Sequence, residues 1–127
     1  MVIIKSPQTR DDFKNYYDLR YKVLREPWGL VKGTEKDDYE PISQHFMAID
    51  DVTGELIGCA KLFEKESGLA WVSHMAVATK KQHHGIGKLL LTHIEEIARK
   101  EGYQRIGCLS RLNTTQFIQK APNLISV

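Results

Sequence analysis

The chain has two cysteines, four prolines and no apolar run approaching the roughly 20 residues of a membrane-spanning helix. Two thiols cannot build a disulfide scaffold. Cys59 and Cys108 both fall in apolar, strand-like segments, where free thiols behave as small buried hydrophobes, so no disulfide is expected. An excess of one charge is also missing: Lys and Arg number 18 against 16 Asp and Glu, a net charge of +2. The basic residues are spread evenly, which gives no electrostatic footprint for nucleic acid. Met1-Val2-Ile3-Ile4-Lys5 lacks the basic start and long apolar centre of a signal peptide, so a cytoplasmic location without a membrane partner is expected. Repeats, low-complexity tracts and linkers are absent as well.

What is present is ordinary globular material. At 127 residues, 42% hydrophobic and 27% charged, the chain reads as one domain spanning 1–127. Val2 to Lys5 is β-like, and Thr9-Arg10-Asp11-Asp12 matches a capping box. Phe13, Tyr16, Tyr17, Leu19, Val23 and Leu24 then give one apolar face of a helix over residues 10 to 25, stopped by Pro27, Gly29 and Gly33. The segment from Trp28 to Pro41, rich in acid at Glu35, Asp37, Asp38 and Glu40, has little periodicity and fits a loop or short second helix. Trp28 itself reads as a core plug.

His45 to Ile49 and Glu55 to Phe63 flank the turn residues Asp50-Asp51-Val52-Thr53-Gly54, an antiparallel hairpin. After the turn at Ser67-Gly68, Leu69 to Val77 is apolar enough for a central strand. A helix from Ile86 carries Leu90, Ile94, Ile97 and Ala98 on one stripe, with Glu95–Arg99 and Glu96–Lys100 pairs on the solvated side and Gly102 as its stop. Gln104 to Leu109 is a strand, and Asn113 to Lys120 gives two turns of helix before Pro122. The order implies an α/β (α+β) fold, a mixed and mainly antiparallel sheet with helices against it.

Between the central strand and the second long helix lies Gln82-His83-His84-Gly85-Ile86-Gly87-Lys88. Backbone N–H groups in the first turn of a helix have no intrahelical partner and sit at the positive end of its dipole. Glycines at 85 and 87 let an anion reach them, so the stretch reads as a pyrophosphate cradle. A Walker A loop would need four residues between its glycines and a Ser or Thr after the Lys, where this chain has one residue and Leu89. A dinucleotide fingerprint would want Gly or Ala at position 90, which is Leu90. Adjacent residues in a tight loop, as His83 and His84 are, rarely point at the same ion, and no ligand-spaced Cys or carboxylate accompanies them, so no metal is expected.

Gln-x-x-Gly-x-Gly after a strand ending in Met75-Ala76-Val77, followed by the Leu89-Leu90-Leu91 helix, Gly102 and another strand, resembles the coenzyme A loop of the GNAT N-acetyltransferases. The match extends over most of the chain. The resemblance implies an acetyl-CoA-dependent N-acetyltransferase that passes acetyl directly to a primary amine, small-molecule or peptide, in a ternary complex. Amides of His83, His84, Gly85, Ile86, Gly87 and Lys88 would bind the pyrophosphate, with Gln82 fixing the loop entrance. Met75, Ala76 and Val77 would lie on a strand splayed at a bulge, whose free backbone groups hydrogen-bond the pantetheine. His74 is the preferred proton acceptor, ahead of Ser73 through a water, Glu64 and Glu66.

The C-terminal part departs from the family pattern. Arg111, Thr114, Phe117 and Ile118 occupy the family register, so Ile118 stands where a tyrosine would protonate the leaving thiolate. Asn113, two residues from one common register of the family asparagine, and Phe117 are the candidate cofactor contacts there. The family's last two strands are expected to be missing, which would leave Gln104–Leu109 with an open edge and favour a homodimer. The alternative function is an acetyl-CoA-binding protein with little or no turnover. Arg20 to Glu26, Trp28 and the acidic run resemble a GNAT subgroup in which this region borders the acceptor, and an acidic rim would attract a cationic amine.

Overall fold

Thr9 and Asp12 start the first helix by bonding each other's backbone. The Thr9 hydroxyl accepts from Asp12 N at 3.0 Å and the Asp12 carboxylate accepts from Thr9 N at 3.2 Å, which satisfies donors that the first turn leaves unpaired. The computed structural model describes residues 1–108 and the backbone of 125–126. Its elements are β1 (Val2–Lys5), α1 (Arg10–Leu24), β2 (Gln44–Asp50), β3 (Leu56–Glu66), β4 (Leu69–Val77), α2 (Ile86–Lys100), β5 (Arg105–Cys108) and β6 (Ile125–Ser126). The segment from Trp28 to Pro41 holds no α-helix; 3-10 turns at Glu26–Trp28 and Glu40–Ile42 bracket a loop.

The strands lie in the order β1-β2-β3-β4-β5-β6. The first four are antiparallel, while β5 runs parallel to β4 and β6 parallel to β5. A parallel neighbour requires a crossover, and α2 supplies it. The tail contributes a strand pairing Ile125 with Arg105 and Ser126 with Ile106, so the edge expected to be wholly open is covered at those two positions. That removes part of the premise for self-pairing. The helix expected over Asn113 to Lys120 lies outside the described residues.

Alternation along the strands sends apolar side chains to both faces of the sheet. One face packs Phe46, Ala48, Ile57, Ala60, Leu62 and Val72 against Ile86, Leu90, Leu91, Ile94 and Ala98 of α2. The other packs Met47, Cys59 and Ala76 against Tyr16, Phe13, Leu19 and Val23 of α1. Cys59 and Cys108 are free and buried in different clusters, so no disulfide joins them. Glu95 meets Arg99 at 3.2 Å as the spacing predicts, yet it is buried at the helix edge, and its carboxyl is pushed up by that burial.

Close approach of α2 to the sheet depends on Gly58. Ala48 pairs with Gly58 and Ile49 with Leu56, so β3 bulges by one residue there. A Cβ on Gly58 would lie 2.9 Å from Ile86 Cγ2 and 3.1 Å from Leu90 Cδ1. Gly58→Ala is expected to lower stability by about 1–3 kcal/mol through overpacking, read as the shift in a urea midpoint. An unchanged midpoint would mean that α2 does not rest tightly on β3.

Candidate functional site

The loop before α2 is turned by two residues of positive φ, His83 at 69° and Gly85 at 80°. Gly85 is the N-cap, no side chain caps the helix, and the first helical bond is Leu89 N to Gly85 O at 3.0 Å. The N–H groups of Ile86, Gly87 and Lys88 therefore have no acceptor among the described residues, at the positive end of the helix dipole. Gln82, His83, His84 and Gly85 are exposed, whereas Ile86 is buried and anchors the turn. A Cβ on Gly87 would lie 3.6 Å from Met75 Sδ and 3.9 Å from Val77 Cγ2, which places the loop directly against the end of β4. Gln82 closes the turn by donating from Nε2 to the Val77 carbonyl at 3.2 Å.

The end of β4 is held on one side only. β5 pairs with Leu69 to Val72 and goes no further, so Ser73 to Val77 have β3 on one side and, among the described residues, no strand on the other. Ala78 N donates to Ile57 O at 2.8 Å; alternation then turns the N–H groups of Val77 and Met75 toward the unpaired edge. Ala76 faces β3, opposite Cys59. Between the pairs Cys59–Ala76 and Lys61–Ser73, β4 carries one extra residue. The bulge coincides with His74, whose φ of 52° costs a non-glycine residue about 1–2 kcal/mol.

On the α1 face, His74 meets a network of charges. Its Nδ1 lies 3.0 Å from Ser73 Oγ and 3.9 Å from Asp37 Oδ2, and its Nε2 lies 3.4 Å from Arg25 Nη2. Arginine only donates, so Nε2 is the acceptor and the proton sits on Nδ1. Burial, then the positive charges of Arg20 and Lys61, pull the imidazole down to about 4, so it is neutral at neutral pH. Arg20 and Lys61 are fully buried. Arg20 donates to Glu40 at 2.9 Å and to the Tyr16 hydroxyl at 2.8 Å; Lys61 donates to Glu40 at 2.7 Å and to Asp37.

This arrangement corrects the acidic rim. Glu35 is buried with its carboxylate on Gly33 N, while Asp37 and Glu40 neutralise the two inward cations; of the run, Asp38 faces solvent. Trp28 is 70% exposed and is no core plug; Tyr39, stacked on Phe63 at 4.3 Å, pins the loop instead. Ser73 is brought to His74, but Glu64 and Glu66 are exposed at the opposite end of β3 and do not reach it.

A sheet splayed after Val72, with a glycine-turned helix N-terminus packed against the splay, is an arrangement shared with known proteins. The profile of the Acetyltransferase (GNAT) family matches residues 9–120. The chain belongs to that family. Solved structures agree in fold. A putative N-acetyltransferase from Lactobacillus plantarum superposes with a TM-score of 0.77 at 19% identity, covering 93% of this chain and 81% of that one. A Bacillus subtilis acetyltransferase in complex with CoA gives 0.71 at 21% identity, covering 95% and 75%. A GNAT family acetyltransferase from Elizabethkingia anophelis with acetyl-CoA bound gives 0.68 at 22% identity, covering 91% and 69%.

In this GNAT chain the loop residues and the β4 residues expected from the sequence do come together. Asn113, Phe117 and Ile118 lie outside the described residues. Among the described residues no group of three or more His, Cys, Asp and Glu could hold a metal, and no helix is long and apolar enough to cross a membrane. Sequence reasoning named Arg20 and Arg25 only as part of a run expected to border the acceptor, with no role for either, and missed Lys61. The signal for Lys61 was available: a lysine within Cys59-Ala60-Lys61-Leu62-Phe63 has to find a carboxylate if that strand is buried.

Proposed function

We propose that this chain is an acetyl-CoA-dependent N-acetyltransferase that passes acetyl directly to a primary amine, with both substrates bound at once. The observation that carries the reading is the uncapped start of α2 lying against the unpaired edge of β4. The free N–H groups of Ile86, Gly87 and Lys88, with those of His83, His84 and Gly85, would hold the diphosphate of acetyl-CoA. Met75 and Val77, whose N–H groups point to the unpaired edge, would hold the pantetheine arm as an added strand, and Gln82 keeps the Val77 carbonyl in place. Asn113 and Phe117 complete the proposed cofactor contacts. Acetyl-CoA supplies the acyl group and the thiolate leaving group.

α2 fills one face of β4, so the amine arrives from the other, where His74 and Ser73 lie. His74 is the proposed proton acceptor through Nε2. Neutral at neutral pH, its imidazole is in the protonation state that can accept a proton, once Nε2 is released from Arg25 Nη2. Calorimetry should show saturable binding of acetyl-CoA, with ATP a poor competitor, and a panel of primary amines should release free thiol. Failure to bind acetyl-CoA would reject the reading. Binding without thiol release from any amine would favour the second reading, a binding protein with little turnover, which the isoleucine at position 118 supports.

A further inference from the structure

We infer that Arg25 recognises a carboxylate carried by the acceptor beside its amine. This rests on the acetyltransferase reading and names the substrate class of the same site. Three cations lie near His74. Arg20 has Glu40 at 2.9 Å, and Lys61 has Glu40 at 2.7 Å and Asp37 besides. Arg25 has no carboxylate partner among the described residues. Its Nε donates to Thr34 O at 3.0 Å, its Nη1 to Leu24 O at 3.2 Å, and its Nη2 approaches His74 Nε2 at 3.4 Å. Those contacts fix the guanidinium plane and leave part of its donor set unspent, on a side chain that is only half-buried. A carboxylate matches such a fork with two parallel bonds and supplies the missing counter-charge.

The contact with His74 gives a chemical reason for the same ligand. Arg25 Nη2 points at the single lone pair through which neutral His74 could take a proton. A carboxylate is the stronger acceptor; arriving at Arg25, it draws Nη2 away and opens Nε2 beside the amine of the same molecule. The other charges facing His74, Asp37 at 3.9 Å from Nδ1 and Glu40 beyond it, are held by Lys61 and Arg20 and cannot serve the acceptor. A cationic amine with no carboxylate would meet the uncompensated charge of Arg25 as repulsion.

The test is thiol release at saturating acetyl-CoA from the amino acids, each paired with its carboxamide. The acids should exceed their carboxamides tenfold or more in kcat/KM. Arg25→Gln should bring that ratio close to one by raising KM for the acids, and Arg25→Lys should restore part of it; an unchanged dissociation constant for acetyl-CoA reports that each variant is folded. Carboxamides used as well as the acids, or a ratio that survives in Arg25→Gln, overturns the inference. If nothing is turned over, the acids are titrated by calorimetry into protein saturated with coenzyme A. Binding that Arg25→Gln weakens tenfold upholds the inference, and no binding rejects it while leaving the acetyltransferase reading standing. Loss of coenzyme A binding itself would reject that reading instead.

Discussion

Glu40→Ala is expected to destabilise the fold by about 3–5 kcal/mol, the range for removing one partner of a buried ion pair. Glu40 receives Arg20 at 2.9 Å and Lys61 at 2.7 Å, and both cations are fully buried. It also accepts from Tyr17 Oη at 3.2 Å and from Asp37 N at 3.0 Å, so it ties α1, β3 and the loop before β2 to one carboxylate. Without it Lys61 keeps Asp37, but Arg20 is left with the Tyr16 hydroxyl and the Glu35 carbonyl, neither of which carries charge. A loss of that size would lower Tm by about 10–20 °C in a domain of this length. Replacing the group together, Arg20→Met with Glu40→Leu and Lys61→Met, should cost much less than the single change, since no charge is then buried alone. A triple variant weaker than Glu40→Ala would show that the network holds the fold by more than charge pairing.

The same residues set an acid limit. Burial by itself would raise the Glu40 carboxyl, but hydrogen bonds from Lys61 and Arg20 outweigh it and lower the pKa from 4.5 to about 2. The folded state thus takes its proton later than the unfolded state, so this contribution is complete above the unfolded pKa of 4.5 and is lost as pH falls toward about 2. His74 adds an earlier step of the same sign, because its pKa falls from 6.5 to about 4 and the unfolded chain takes that proton first. Urea midpoints should therefore decline in two stages below neutral pH. The lower stage should shrink in Glu40→Gln, leaving the smaller contribution of Asp12, Asp18 and Asp50, whose carboxyls are also lowered, and a wild-type curve flat from neutral pH down to about 3 would contradict both assignments.

The apolar pattern made the sheet and its helices legible, because one-face burial fixes the period. Phe13, Tyr16, Leu19 and Val23 face the sheet as their spacing requires, and Leu90, Ile94 and Ala98 do so on the opposite side. The loop before α2 was legible for a different reason: the positive φ of Gly85 is a local backbone requirement, and such requirements are written in the residues themselves. The charged network around His74 was not. Arg20, Arg25, Asp37, Glu40 and Lys61 are spread over three segments, and each of them except Lys61, taken alone, reads as a solvated charge. Only the fold shows that Glu35 to Glu40 turns inward toward α1 and β3, converting an apparent acidic rim into counter-charge for buried cations. The bulge at His74 was likewise invisible in composition, since it depends on the register between β3 and β4.

Gly85→Val should reduce acetyl-CoA affinity about 100-fold or more while leaving the fold in place. At φ 80° and ψ 11° the backbone is left-handed, and a Cβ there meets no other protein atom within 4 Å. The substitution therefore disturbs no packing; it strains the turn by about 1–2 kcal/mol and fills the approach to the free N–H groups of α2. Losing two hydrogen bonds to a charged group, at about 1.5–3 kcal/mol each, accounts for the affinity change. Gly102, at the other end of the same helix, is a matched control: its φ is 84° and a Cβ there also meets nothing within 4 Å. Gly102→Val imposes similar strain without touching the loop, so it should lower the urea midpoint comparably yet bind acetyl-CoA as the wild type does. Equal losses of affinity in the two variants would mean that helix strain, and not access to the peptide nitrogens, controls binding, and the anion site would have to be sought elsewhere.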